Sequence, residues 1–363
     1  MNRSPAIHQF IPVFAGRDAV GQHTLRLRDV LRELGVRSEI YAERIHPEVR
    51  SEALDYRTYA PNAGEQAWLL YQASTGAAMA DWLLERPEPL LLDYHNITPI
   101  ESFAPWEPSV AAVLRRARKQ LSGLAPRARL GLADSTFNAG EIDDLGCRRT
   151  VVAPILLDPG SFDVGVDEVV LERLGVGSGG GASWLFVGRM APNKAQHDVV
   201  KAFALYRRVF DPGARLWLVG GSSSDAYVRA CRGLADRLGV GSAVEFAGSV
   251  SQEALTAYYR SADVFVCLSD HEGFCVPLLE AMWHGVPVVA FGSSAVPETL
   301  GSGGVCLPEK SASVVASAVW RVVSDPGLRS SLVAAGRGRL ADFELSKTRA
   351  TFTTAIEQFV ESA

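Results

Sequence analysis

Glu272-Gly-Phe-Cys-Val-Pro-Leu-Leu-Glu280 is the stretch on which the reading of this chain turns. Its two carboxylates stand eight positions apart. The glycine after Glu272 opens a turn, and Pro277, which has no N–H, suits the first position of a helix. Upstream, Asp263–Ser269 (Asp-Val-Phe-Val-Cys-Leu-Ser) has the composition of a buried strand. Leu278–His284 predicts a short helix closed by Gly285, and Val286–Phe291 predicts the next strand. Strand, loop, helix and strand in that order put the loop at the carboxyl end of a parallel strand, where open α/β sheets bind ligands.

The chemistry follows from that placement. The backbone N–H groups of Phe274, Cys275 and Val276, after the Gly273 turn, lie at a helix N-terminus and favour an anion. A carboxylate beside a bound phosphate would repel it, so Glu272 and Glu280 suit the hydroxyls of a sugar or a ribose. Together they describe a pocket for a nucleotide sugar. The plainer alternative is a capped helix with two solvated glutamates. A second segment bears on the choice. Ser183–Gly188 reads as a strand, and Arg189-Met-Ala-Pro-Asn-Lys194 follows it directly. Alone, Arg189 and Lys194 would be surface charges. After a strand, and upstream of the paired glutamates, they suit a leaving diphosphate, whose charge grows in the transition state.

The segment 272–280 resembles the E-x7-E motif of retaining glycosyltransferases with the GT-B fold, glycosyltransferase family four (glycosyl transferases group 1). Cys275 stands where that motif has a small residue, and Trp283 where it has alanine. Arg189–Lys194 resembles the family's G-R-x4-K, with Ala195 in place of the usual following glycine. The resemblance is strong over 183–305 and weaker over 1–157. It implies an α/β GT-B fold, in which two Rossmann-like domains face an interdomain cleft and a C-terminal helix crosses back to the first domain. By resemblance, Glu280 holds the ribose, Glu272 contacts the donor sugar, and Arg189 and Lys194 bind the diphosphate. Gly221 lines the nucleotide, and Ser249 and Val250 meet the base. The loop after the first strand, with Gly16 or Gly21, approaches the donor phosphate and sugar.

Further candidates lie in the first half. His95 ends the run Leu90–Tyr94, a strand whose carboxyl end would carry the ring to the cleft mouth, and the resemblance implies a place near the donor sugar; a buried, satisfied histidine is the alternative. Asp18, His23 and Asn96 are candidate acceptor contacts, with surface positions an equal alternative for Asp18 and His23.

Composition sets bounds. The chain has 363 residues, 47% hydrophobic and 21% charged, with net charge −5 and pI near 5.9, which suits a globular protein and gives no support for nucleic-acid binding. Five cysteines without C-x-x-C or zinc spacing read as reduced, buried thiols. No signal peptide or membrane span is predicted, so the expected location is cytoplasmic. The basic amphipathic segment Val110–Leu124 leaves peripheral membrane contact open, a solvated helix face being the plainer reading.

Strands expected at Ala6–Phe14, Val36–Ala42, Trp68–Gln72, Leu90–Tyr94, Leu130–Asp134 and Val151–Leu157 alternate with helices at Val20–Leu34 and Gly76–Glu85. A second series begins at Ser183, with strands at Arg215–Gly220 and Ala243–Ala247 before the two already named. Between the series, the run containing Gly175, Gly177, Gly179, Gly180 and Gly181 has a linker's composition. The expected domains are 1–170 for the acceptor, 183–343 for the nucleotide sugar, and a helix over 344–363 that packs back. The resulting expectation is a retaining transferase, monomeric or homodimeric. It needs no metal, has no cofactor beyond a UDP- or GDP-sugar co-substrate, and acts on a hydroxyl of a natural product, saccharide or lipid-linked sugar. The alternatives are a pseudo-glycosyltransferase, a sugar-nucleotide epimerase, a phosphorylase-like synthase, or a non-catalytic nucleotide-binding homologue.

Overall fold

Alternating apolar runs and amphipathic helices build two parallel sheets. The computed structural model describes residues 5–16, 18–62, 66–175 and 180–362. Among these, the first sheet has seven strands: β1 (Pro5–Phe14), β2 (Ile40–Ile45), β3 (Leu54–Asp55), β4 (Gln66–Ala73), β5 (Leu90–Tyr94), β6 (Ala128–Ala133) and β7 (Thr150–Val152). Their spatial order is β3-β2-β1-β4-β5-β6-β7. The second sheet comprises β8 (Ser183–Val187), β9 (Arg215–Val219), β10 (Val244–Gly248), β11 (Val264–Cys267), β12 (Val288–Phe291) and β13 (Val305–Leu307), in the order β10-β9-β8-β11-β12-β13. Both are doubly wound, with the order reversing between β1 and β4 and between β8 and β11.

Most elements stand where the sequence puts them, and the differences have local causes. The strand expected at Val36–Ala42 starts at Ile40; its first part makes one isolated bridge, Ala6 to Arg37. The strand expected at Val151–Leu157 stops at Val152, two residues before Pro154, which has no N–H for the ladder. The short strands β3 and β13 and the helix Thr136–Asp144 gave no distinct periodic signal.

The chain divides into two compact units, one formed by residues 1–100, 109–157 and 343–363 and the other by 101–108 and 158–342. The helix Glu168–Leu174, on the boundary expected at 170, belongs to the second unit, where Arg173 Nη1 pairs with Glu245 Oε1 at 2.9 Å. Gly177 and Gly179 of the expected linker lie outside the described residues. The C-terminal helix Leu345–Ser362 packs Phe352, Ala355, Ile356 and Phe359 into the core of the first unit with Leu27, Leu31 and Trp68.

Against that apolar core, the first unit buries a polar network at the carboxyl ends of its central strands. Gln9 on β1 donates from Nε2 to the Thr24 carbonyl at 3.0 Å, and Gln72 on β4 donates to Gln9 Oε1 at 2.9 Å. That orientation turns Gln72 Oε1 toward His95 Nε2, 2.5 Å away, while His95 Nδ1 lies 2.9 Å from Asp134 Oδ2. Both ring nitrogens face acceptors, an arrangement that suits an imidazolium. Burial alone would push the His95 pKa down; the Asp134 and Asp93 carboxylates outweigh it and hold it up at about 9.

A histidine raised above its unfolded value of about 6.5 contributes stability in full below that pH and loses it as the pH climbs through the folded value. Wild type should therefore exceed His95→Gln in stability by a margin that is largest near pH 6 and shrinks by a few kcal/mol, in order of magnitude, as the pH passes about 9. Urea unfolding of both proteins between pH 6 and 9.5 measures this margin. A margin that stays constant with pH would contradict an imidazolium here.

Candidate functional site

In the second unit, the loops after β8 and β11 meet at the point where the strand order reverses. The first loop runs from Gly188 to Ala195 and the second from Leu268 to Cys275. Backbone and side-chain bonds join them: Asp270 N–H donates to the Asn193 carbonyl at 2.8 Å, and Asn193 Nδ2 donates to the His271 carbonyl at 3.3 Å. Lys194 Nζ then lies 2.6 Å from Glu272 Oε2. The carboxylate side chain is 7% exposed and the lysine 20%, so the pair is largely screened from water yet open on the lysine side. Burial pushes the lysine pKa down, but the Glu272 charge and hydrogen bond, together with the neighbouring cysteines, outweigh it and raise the pKa, so the ammonium is held as a fixed cation.

Three residues in this region, Ala195, Cys275 and Ser294, take left-handed backbone conformations, two of them just ahead of helices. Ala195 has φ 49° and is fully buried at the start of the helix Gln196–Val209, and Cys275 has φ 75° ahead of the helix Val276–Trp283. Glycine fits such positions without the Cβ penalty. This accounts for the small residues usual at both places in the motifs that the sequence resembles. The helix after Cys275 begins at Val276, with Pro277 in its first turn. The N–H groups of Cys275 and Val276 therefore lie where a helix supplies no acceptor of its own. Gly273 and Phe274 complete the turn, and the Phe274 carbonyl accepts from Thr299 Oγ1 at 2.6 Å.

Glu280 lies on that helix with its carboxylate 2.8 Å from the Tyr259 hydroxyl. Burial raises its pKa, and the tyrosine hydrogen bond opposes that rise. The sequence reading missed Tyr259, because a tyrosine on the apolar face of the helix Gln252–Ser261 looks like core. It also missed Ser294, which accepts the Glu272 N–H at 2.7 Å from the loop after β12. Arg189 is exposed, with no side-chain ion pair or hydrogen bond among the described residues. Gly221 follows β9, and a Cβ on it would come within 2.7 Å of Ser249 Oγ, so these two candidates are neighbours; Val250 follows directly.

The first unit treats its candidates differently. Gly21, in the first turn of the helix Ala19–Glu33, is the tightly packed one of the two glycines, since a Cβ there would stand 1.9 Å from the Ala15 carbonyl oxygen; at Gly16 a Cβ would meet only side-chain atoms of Val49 and Glu48. Asp18 caps the helix Ala19–Glu33, accepting the Gly21 N–H at 2.7 Å. For His23 the surface alternative is corrected, because its side chain is fully buried. It lies 2.8 Å from Asp93 through Nε2 and accepts the Leu156 N–H through Nδ1 at 2.9 Å, which makes it an interior strut. Asn96 is 9% exposed with φ 75°, and its amide nitrogen bonds Asn138 Oδ1 at 2.8 Å and Glu141 Oε2 at 3.1 Å, which holds the turn after β5. His95, its side chain 1% exposed, sits inside the polar network described above.

Two groups among the described residues bring metal-ligating atoms together: His23 with Asp93 and His95, and Cys267 with Glu272 and Cys275. In the first, both nitrogens of each ring already have interior partners.

Residues 179–339 match the family model described as Glycosyl transferases group 1. The chain is 37% identical over 158 residues to the GDP-mannose-dependent alpha-(1-6)-phosphatidylinositol monomannoside mannosyltransferase of Mycobacterium tuberculosis, covering 41% of this chain and 40% of that protein. It is 31% identical over 264 residues to the D-inositol 3-phosphate glycosyltransferase of Acidothermus cellulolyticus, covering 70% of this chain and 57% of that protein. The chain thus spans about half the length of the curated relatives it matches. Among solved structures it resembles Anabaena HepE in complex with UDP-glucose, with TM-score 0.73 at 18% identity, over 97% of this chain and 99% of that one. Residues 179–339 are thus similar to the glycosyl transferases group 1 family, and the two doubly wound units have the GT-B fold.

Proposed function

We propose that the protein is a retaining, metal-independent glycosyltransferase that moves a sugar from a nucleoside-diphosphate sugar to an acceptor hydroxyl. The observation that carries this reading is the meeting of Lys194 with Glu272 at the β8/β11 switch point, 2.6 Å apart, with Glu280 on the helix that follows. Lys194 and the exposed Arg189 are the cations for the diphosphate. As the glycosidic bond breaks, negative charge grows on the leaving phosphate, and a cation already fixed in place stabilises that state without reorganising. The first-turn N–H groups of Cys275 and Val276 add donors for the same anion. Glu272 serves the hydroxyls of the donor sugar and Glu280 those of the ribose, with Tyr259 holding the Glu280 carboxylate in place. The acceptor hydroxyl attacks the face from which the diphosphate departs, and a phosphate oxygen takes its proton. Ser249 and Val250 flank the base, and Gly221 lines the nucleotide.

His95 is assigned to the donor-sugar side of the first unit as a charged group held by Asp134 and Gln72. A UDP- or GDP-sugar is the proposed donor: HepE is known with UDP-glucose, and the mycobacterial relative is named as GDP-mannose-dependent. A saccharide, lipid-linked sugar or natural product supplies the hydroxyl.

A thermal-shift panel of uridine, guanosine, adenosine and thymidine diphosphates identifies the base, because a ligand bound to the native state raises apparent stability by mass action. With that diphosphate, Lys194→Ala and Arg189→Ala should each lose a charge-assisted contact worth roughly 1.5–3 kcal/mol, read as a ten- to hundredfold fall in kcat/KM for the full donor. Turnover within twofold of wild type in both variants would remove them from the mechanism.

The two glutamates separate by ligand. Glu280→Gln should weaken the plain diphosphate and the full donor alike, whereas Glu272→Gln should spare the diphosphate and impair transfer. Titration calorimetry with both ligands decides it, and an equal loss of diphosphate affinity in the two variants would show the assignment to be wrong. Proton NMR of the product, from assays run in excess chelator, should show undiminished transfer and the anomeric configuration of the donor. An inverted product, or activity that returns only with magnesium or manganese, would overturn the retaining or the metal-free part of the reading.

A further inference from the structure

Behind the Lys194–Glu272 pair lie two thiols that the proposed chemistry does not use. Cys267 ends β11 and Cys275 precedes the helix at Val276, and their sulfurs are 3.9 Å apart. A carboxylate oxygen of Glu272 completes the group, with all three ligand atoms within 4.8 Å of one another and all three residues buried. Two sulfurs bound to one tetrahedral zinc at about 2.3 Å each stand ~3.8 Å apart. The observed separation already has that value, whereas a disulfide needs the sulfurs to close to about 2 Å. We propose that Cys267, Cys275 and Glu272 form a binding site for a thiophilic divalent metal of the zinc type, placed so that the occupied site immobilises Glu272.

The charges support the ligand set. Two thiolates and a carboxylate carry three negative charges, matched by one divalent ion and the Lys194 ammonium beside Glu272. Sulfur ligands select zinc over magnesium or manganese, so this site is distinct from a divalent metal assisting a diphosphate. Binding converts two thiols to thiolates, forms two metal–sulfur bonds and one metal–oxygen bond, and releases two protons to solvent with no change of oxidation state. A fourth coordination position remains for water. Cys275 takes a left-handed conformation ahead of its helix, and its sulfur stands 3.9 Å from that of Cys267 at the end of β11. The metal site stands on this geometry alone. Its consequence, loss of Glu272 to the donor sugar and inhibition by zinc, rests on the function proposed above.

The test uses the full chain with Cys147 and Cys306, which are not buried, changed to serine. Cobalt(II) titration should give a thiolate-to-metal charge-transfer absorption that saturates at one equivalent and is displaced by zinc. Cys267→Ala should abolish it, as should Cys275→Gly, and Glu272→Gln should weaken zinc binding at least tenfold. In the donor assay, one equivalent of zinc should suppress transfer reversibly by chelator, and Cys267→Ala should remain active and insensitive to zinc. Charge transfer that persists in both cysteine variants would overturn the site, as would an absence of charge transfer in the parent protein. A Cys267–Cys275 disulfide that forms where metal should bind would also overturn it. Metal binding without any transferase activity would leave the site standing and sink the proposed function instead.

Discussion

Lys194 and Glu272 can meet only because β8 and β11 are adjacent strands that leave the sheet in parallel at its reversal point. The two residues are far apart in sequence, and no local propensity brings them together. The parallel ladder sets the distance, with Val264 opposite Trp184 and Phe265 opposite Leu185, and the loop-to-loop bonds through Asn193 set the angle. Each charge depends on the other. A carboxylate this buried needs a partner, and the lysine keeps its ammonium in a dry site because the carboxylate is there. The rest of the site is arranged around that pair: Ser294 fixes the Glu272 backbone, Tyr259 fixes Glu280, and Arg189 on the β8 loop is exposed with no side-chain partner among the described residues.

Backbone strain is concentrated at the same place. Ala195 and Cys275 both occupy the left-handed region, and each sits between a loop of the site and the helix that follows it. A non-glycine residue there costs roughly 1–2 kcal/mol, so the surrounding packing must hold it. Ala195 is completely buried, which supplies that constraint. The helices Gln196–Val209 and Val276–Trp283 therefore start at fixed points, and the groups of their first turns are aimed before any ligand arrives.

The first unit organises its chemistry through burial. His8, Gln9, His23, Gln72, Asp93 and Asp134 all lie within the fold, with Gln72, Asp93 and Asp134 at the carboxyl ends of β4, β5 and β6. Patterning revealed the strands other than β3, and the helix Ala19–Glu33, since each carries an apolar period of its own. It could not reveal His23 as an interior strut, because a histidine one turn into an amphipathic helix looks the same whether it faces solvent or Asp93. The turn-holding role of Asn96 was hidden for a related reason: its left-handed turn serves Asn138 and Glu141, residues of a helix that the sequence did not announce. In the second unit the glutamate pair and the Arg189–Lys194 segment were legible because both follow strands directly and their spacing is local. The ion pair between them, and the cysteine pair behind it, depend on strand order and were not.

The central claim is that the β8/β11 junction is where the leaving diphosphate is held. A crystal structure with the nucleoside diphosphate selected by thermal shift tests it most directly. The account predicts phosphate oxygens within hydrogen-bonding distance of Lys194 Nζ and the Arg189 guanidinium, with the ribose hydroxyls on Glu280. A diphosphate bound away from both cations, or a ribose on Glu272 with Glu280 untouched, would contradict it.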